Sequence, residues 1–422
     1  MLKQTLHSEL ADVLQLSSDL VVRSKLDIPR QDSHGDYATN ISFLLSKQER
    51  MAPSELAKKL SDQVSGSDLK NKLIAEPLNG FINLRLTDEF LWSVFLNTGN
   101  TNTVFPQTKE TVLVEYVSAN PTGPLHIGHA RWAVMGSVLV NLLNYTGHQV
   151  SSEFYINDAG NQIKKFRESV AAVKSNKEIP EDGYHGHYIT ELAVNSQDPL
   201  DVILDLQKET LNSIGVEFTT WFSEKTLHES SKINAALDVL TSKQLTYIQD
   251  GALWFKAESL GDEKDRVLIK ADGSFTYFAV DIAYHYDKIK RNYDEIVDIF
   301  GADHSGYTVR MKAVVKALSS GKKDLIVKLC QLVKLYKDGI PVKMSKRSGT
   351  YVTLRDLLDE VGKDSIRFLF LMRKNDAPLD FDFNKAIEQT KDNPVFYVQY
   401  ANARICSILK RARSLGINTE KE

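Results

Sequence analysis

Cysteine is nearly absent: the 422 residues contain two, Cys330 and Cys406. Neither belongs to a C-x-x-C pair, so neither a disulfide framework nor a structural zinc site organises this chain. Net charge is lacking too. Fifty-two Lys and Arg stand against 55 Asp and Glu, a balance of -3. Any attraction for nucleic acid must therefore reside in local patches rather than in a global field. No run approaches the ~18 apolar residues of a membrane span. The opening MLKQTLHSELADVLQL carries Glu9 and Asp12 where a signal peptide needs an unbroken apolar stretch. Neither a G-x-x-x-x-G-K-S/T phosphate loop nor a G-x-G-x-x-G fingerprint occurs. Internal repeats and low-complexity segments are missing as well. A reduced, cytoplasmic, soluble protein is expected.

What is present is ordinary globular composition, 42% hydrophobic and 25% charged. At roughly 100–200 residues per domain the length allows two to four domains. Residues 1–105 read as a small α+β unit, with a helix starting near Ser54 after Pro53. Strand-like runs follow at Leu73–Ala75 and Phe81–Leu84, broken by Gly80. Residues 97–106 have the composition of a linker. Residues 106–383 read as an α/β domain with a Rossmann-type parallel sheet. Val112–Val117 is almost wholly apolar, as a buried parallel strand is. A Pro- and Gly-bearing loop follows, then helical spacing of Ala133, Val134, Val138, Leu142 and Leu143, then a second strand at Val150–Ile156. That is a βαβ unit. Residues from about 160 to 250 read as a mostly helical, polar, loosely organised insertion. Ala252–Phe255 and Ile296–Phe300 read as returning strands, and 384–422 as the start of a helical region.

The strongest chemical signal is His126-Ile127-Gly128-His129, placed where a buried strand turns into a helix. Helix N-termini expose free N–H groups and partial positive charge, so they suit phosphate. Two imidazoles one turn apart can donate to phosphate oxygens, and Gly128 lets a flat base approach the backbone. Taken alone the H-x-x-H spacing could be accidental. A metal pair would need further ligands, and no acid or cysteine stands nearby in such a pattern. The second signal is Lys343-Met344-Ser345-Lys346-Arg347-Ser348-Gly349, a cationic loop suited to clamp a transferring phosphoryl group. On its own it could be a solvated basic loop. With no other phosphate motif in the chain, ATP binding must rest on the site at His126–His129.

The two motifs resemble the HIGH and KMSK signatures of class I aminoacyl-tRNA synthetases. The run from Val114 to Arg131, including Ser118-Ala119-Asn120-Pro121-Thr122-Gly123-Pro124, is similar to the arginine-specific branch. So are Asn157-Asp158-Ala159-Gly160-Asn161-Gln162, His34-Gly35-Asp36-Tyr37-Ala38-Thr39-Asn40 and Tyr397-Val398-Gln399-Tyr400-Ala401. The resemblance covers nearly the whole chain. It implies an ATP-dependent ligase that makes arginyl-adenylate and passes the arginyl group to tRNA-Arg, with Mg²⁺ accompanying ATP. It implies catalytic roles for His126, His129, Lys343 and Lys346. ATP is expected to be held by Pro121, Gly123, His126, Gly128, His129, Asp303, Met344, Ser345 and Lys346. A planar guanidinium asks for carboxylates placed for paired hydrogen bonds. The resemblance assigns arginine to Glu115, Ser118, Asn120, His129, Tyr277, Asp281 and His304. It assigns tRNA to the N-terminal unit through Tyr37, and to the C-terminal region, the beginning of an anticodon-binding helical domain, through Arg404, Lys410 and Arg411. No resident metal site and no membrane contact are expected, and a monomer is.

Both KMSK lysines are retained, which favours activity. The family's C-terminal helical bundle should extend beyond the one helix legible here, so weak or absent charging of tRNA by these 422 residues is expected. The alternatives are another class I synthetase of the cysteine or glutamate branch, a shortened form that binds tRNA or arginine without catalysis, or an adenylate-forming ligase of the same nucleotide fold. The two scattered cysteines argue against the zinc-bearing cysteine branch.

Overall fold

The computed structural model describes residues 2–97, 110–302, 305–342 and 352–418. The chain folds as two compact units, Met1–Thr108 and Lys109–Glu422.

In the first unit, helix Pro53–Ser65 starts with proline at a position that needs no N–H. It buries Leu56, Leu60 and Val64 at four-residue spacing. That stripe packs with Leu6, Leu10, Ile82 and Leu84 in one core. The sheet is four-stranded and antiparallel. Its central hairpin, Leu73–Leu78 with Phe81–Leu86, closes through Asn79 and Gly80 at φ 51° and 83°. Positive φ at both corners is what a two-residue hairpin turn requires, and Asn-Gly supplies it.

The second unit is built on a five-stranded sheet that is parallel throughout. We label its strands β1 (Thr111–Glu115), β2 (Gln149–Ile156), β3 (Thr220–Ser223), β4 (Glu295–Gly301) and β5 (Leu325–Cys330). The order is β5-β4-β1-β2-β3. The chain runs outward from β1 to one side and returns on the other. The crevice beyond the carboxyl end of β1 is thus a topological switch point, the ligand position of such sheets. Residues alternate across a strand with a period of two. Val112, Val114, Phe154, Ile156, Val297 and Ile299 face one side, in a core shared with helix Ile127–Tyr145. Tyr155 and Ile296 face the other, with helix Tyr277–Lys290.

Two sequence expectations change here. Thr220–Ser223, inside the stretch read as a loosely organised insertion, is the edge strand β3, joined to β2 from Glu153 to Ile156. Ala252–Phe255 does not return to the parallel sheet. It pairs with Thr246–Gln249 and Arg266–Ile269 in a separate antiparallel sheet. The cause is local: Asp250 and Gly251 both adopt positive φ, 51° and 75°, and turn the chain straight back.

Candidate active site

At the end of β1 the backbone is forced out of extended geometry. Val117 and Ser118 have φ of 70° and 42°. A β-branched residue rarely adopts that region, and such strain collects at functional sites. The loop that follows is cradled by the helices of the insertion. Asn120 Nδ2 donates to Gln162 Oε1 at 2.9 Å, Gln207 Nε2 donates to the Gly123 carbonyl at 2.9 Å, and the Tyr188 hydroxyl donates to the Thr122 carbonyl at 3.0 Å. His126 then caps helix Ile127–Tyr145. Its Nδ1 accepts from the Gly128 amide at 3.1 Å, while His129 Nδ1 accepts from the His126 amide at 3.3 Å. This is a capping box made of imidazoles. In neutral rings those acceptor roles place both protons on Nε2. The rings stack at 3.7 Å. A Cβ on Gly128 would lie 2.9 Å from the His126 ring, so glycine is what lets the ring fold back over the helix start. Thr353 bridges His126, and the Leu354 amide donates to the Leu125 carbonyl at 2.8 Å. The chain just past the Lys343–Lys346 segment is therefore pinned to this helix start.

These groups line one side of a cleft of about 860 Å³. Glu115, Ser118, Asn120, Gly123, His126, His129 and Asp281 all reach it, joined by Trp132, Tyr155, Tyr284, His285 and Tyr307. Asp281 accepts a hydrogen bond from the Tyr307 hydroxyl. Burial raises its carboxyl to about 6; Tyr307 and His285 oppose the shift, and the like charges of Glu224 and Glu115 add to it.

Beneath the cleft lies a row of three carboxylates, one from each of three neighbouring strands. Asp298, Glu115 and Glu153 occupy adjacent register positions on β4, β1 and β2, and all three are buried. Helix Tyr277–Lys290 and the next residue answer with His285, Lys288 and Arg291 at three-residue spacing, on one helix face. His285 Nε2 lies 2.9 Å from Asp298, and Lys288 Nζ bonds Asp298 at 2.7 Å and also Glu115. Arg291 grips Glu153 with two nitrogens at 2.5 and 2.8 Å. Burial alone would lower the Lys288 ammonium, but Asp298, Glu115 and Glu153 raise it to about 12. Burial opposes ionisation of Asp298 as well, and Lys288 and His285 hold it at about 2.

Several sequence-derived site residues fall elsewhere. Tyr277 is 61% exposed and lines a neighbouring depression of about 560 Å³ with Glu224 and Phe275. It stands one turn before Asp281 on the same helix, at that helix's first position. Pro121 is buried in the loop beside Gly123. Lys343, Met344, Ser345, Lys346, Asp303 and His304 lie outside the described residues. Tyr37 is half-buried against the core of the first unit. Arg404, Lys410 and Arg411 are exposed on helix Pro394–Ser414. Sequence reasoning missed Glu153, His285, Lys288, Arg291 and Asp298. Their signal was an acid within each of three strands, matched by His285, Lys288 and Arg291 three residues apart along one helix.

A parallel sheet with stacked imidazoles at its switch point, and carboxylates across the cleft, defines a class I, Rossmann-type nucleotide-binding catalytic domain. Comparison with known proteins narrows this. The model of the arginyl tRNA synthetase N-terminal domain matches residues 1–86, and that of the class I (R) tRNA synthetase catalytic domain matches 92–182 and 195–405. An arginine–tRNA ligase of Heliobacterium modesticaldum is 45% identical over 93% of this chain and 75% of its own length. One from Roseobacter denitrificans is 42% identical over 97% and 78%. A solved arginyl-tRNA synthetase of Thermus thermophilus, 21% identical, shares the fold with a TM-score of 0.73 over 98% of this chain and 82% of that one. The chain belongs to the arginyl-tRNA synthetase family of class I.

Proposed function

We propose that this chain activates L-arginine with ATP, releasing pyrophosphate, and passes the arginyl group from the adenylate to tRNA-Arg. The observation that carries this reading is the convergence of Glu115 and Asp281 on the cleft that holds His126 and His129. A guanidinium held by the two acids leaves the α-carboxylate of arginine to reach toward the imidazoles, where the α-phosphate of ATP would lie. Chemistry at such a site is positioning and electrostatics, with no protein nucleophile. His126 and His129 donate from Nε2 to phosphate oxygens. Lys343 and Lys346 stabilise the charge that develops on the leaving pyrophosphate. Ser118 and Asn120 take the α-amino and carboxylate groups. Tyr277, beside the arginine pocket, and Tyr37, Arg404, Lys410 and Arg411 are assigned to tRNA or to arginine by the family resemblance.

Magnesium would arrive on the ATP phosphates. Among the described residues no group of three or more His, Cys, Asp or Glu side chains is gathered to hold a metal, and no step is derived through it. Among those residues no helix is long and apolar enough to cross a membrane. A cytoplasmic monomer fits the reading.

The test is exchange of labelled pyrophosphate into ATP, driven by arginine, lysine, cysteine or glutamate, each with and without tRNA-Arg. Exchange with arginine alone among the four supports the reading. Exchange driven by one of the others in place of arginine overturns it.

A further inference from the structure

We propose that Lys288 is a positioning residue for arginine recognition: from the floor of the cleft it clamps the Glu115 carboxylate so that the carboxylate faces the guanidinium. The proposal rests on the reading of Glu115 as an arginine-binding group. Lys288 is fully buried on helix Tyr277–Lys290 and its ammonium is shared between Glu115 and Asp298. It lies 4.4 Å from the centre of the Tyr284 ring, so aromatic and carboxylate groups together replace its water shell.

Glu115 is gripped from two sides. Lys288 binds Oε2 from below, and Ser118 Oγ donates to Oε1 at 2.7 Å from the rim. Ser118 Oγ in turn accepts from the Tyr155 amide at 3.1 Å. Ser118 is the residue held at φ 42°. Lys288, Glu115 and the strained turn at the end of β1 thus form one chain of charge-assisted bonds. An ionised carboxylate has about four lone-pair directions. Two are committed here, which fixes the plane of the group and leaves its remaining directions for N–H donors in the cleft.

Stability alone does not account for such a layer. Buried ion pairs and triads can commonly be replaced by apolar groups with no loss of stability, because desolvation offsets the attraction. Leucine or methionine under β1 would close the core as well. What an apolar residue cannot do is bond the Glu115 carboxylate from below and hold its plane fixed against the cleft. Arg291 serves Glu153 in the same row, but Glu153 does not line the cleft. The substrate-facing member of the row is the one that Lys288 holds.

Calorimetry of the full chain with L-arginine, and separately with ATP, tests this. Glu115→Gln should weaken arginine binding about tenfold or more while ATP affinity stays within about twofold. Lys288→Met should do the same. The double variant Glu115→Gln/Lys288→Met should bind arginine no more weakly than Glu115→Gln alone, because Lys288 acts through Glu115. If Lys288→Met does not fold, Lys288→Met/Asp298→Asn removes one charge of each sign and keeps the layer balanced. The same selective loss of arginine affinity is expected there. A folded Lys288 variant that binds arginine as tightly as the wild type overturns the proposal, as does multiplication of the two losses in the double variant. Undiminished arginine binding by Glu115→Gln would instead sink the guanidinium reading itself, so the two failures are distinguishable.

Discussion

Helix Ile127–Tyr145 carries one Lys, Arg, Asp or Glu in 19 residues, the buried Arg131. Helix Tyr277–Lys290 carries Asp281, Asp287, Lys288 and Lys290 in 14. Both pack on the same parallel sheet, on opposite faces, and both reach the cleft. The first is seated by apolar surface, and even its arginine bonds only main-chain oxygens, those of Gln331 and Lys374 at 2.9 and 2.8 Å. The second also buries Phe278, Ile282 and Ala283 in an apolar core, but adds ion pairs to the sheet through Lys288 and Arg291. The difference separates two tasks. The apolar face holds the helix start that carries His126 and His129. The charged face brings the carboxylates of Glu115 and Asp281 to the cleft. Substitutions on the two helices should therefore fail differently.

The largest effect is expected at Asp281. Asp281→Asn removes the charge that a guanidinium would meet deep in the cleft and should weaken arginine binding by about 3–5 kcal/mol. ATP binding should be nearly unchanged. Equilibrium binding of both ligands checks this, and equal loss of both would erase the division between the faces. Gly136→Ala should do the opposite. A Cβ there would run into the Tyr116 ring, which is itself buried. Overpacking of that kind costs about 1–3 kcal/mol of stability. Denaturant unfolding should show the loss, while the folded variant keeps its arginine affinity.

A pH titration sharpens the same contrast. Burial raises Asp281 to about 6, so between about pH 4 and 6 the folded chain holds this proton more tightly than the unfolded chain does. Its stabilising contribution is full below about pH 4 and is lost as pH rises through about 6, a change of about 3 kcal/mol. Arginine needs the ionised form. Its affinity should fall about tenfold between pH 7 and pH 5, with one proton released on binding at the lower pH. Measuring binding heats in buffers of different ionisation enthalpy counts that proton. In Asp281→Asn the residual affinity should lose this pH dependence.

The two faces were not equally legible in the sequence. An apolar strand, a Pro- and Gly-bearing loop and HIGH at a helix start are local signals, and the βαβ unit stands where those signals put it. Glu115 and Asp281 could be singled out by resemblance and do meet in one cleft. The charged row could not be assembled so easily. Asp298 lies 183 residues beyond Glu115, and only sheet register brings them side by side. In the sequence nothing local links the three acids to one another. Likewise Thr220–Ser223 is too short to declare itself, and becomes a strand because β2 offers it an edge.

The smallest effect is expected on the apolar side of the cleft. Trp132 follows His129 by one turn, and its ring meets the His129 ring edge-on at 5.5 Å. Among the described residues its buried indole Nε1 has no hydrogen-bond partner. An orphaned donor costs stability, so Trp132→Phe removes a penalty together with part of an aromatic surface. The edge contact survives with phenylalanine. The two changes should nearly cancel, leaving unfolding free energy within about 1 kcal/mol of the wild type. Arginine affinity should be unaltered, because the indole stands on the histidine side of the cleft. A loss above about 2 kcal/mol would mean that the indole N–H has an acceptor after all, and that this face too depends on polar bonds.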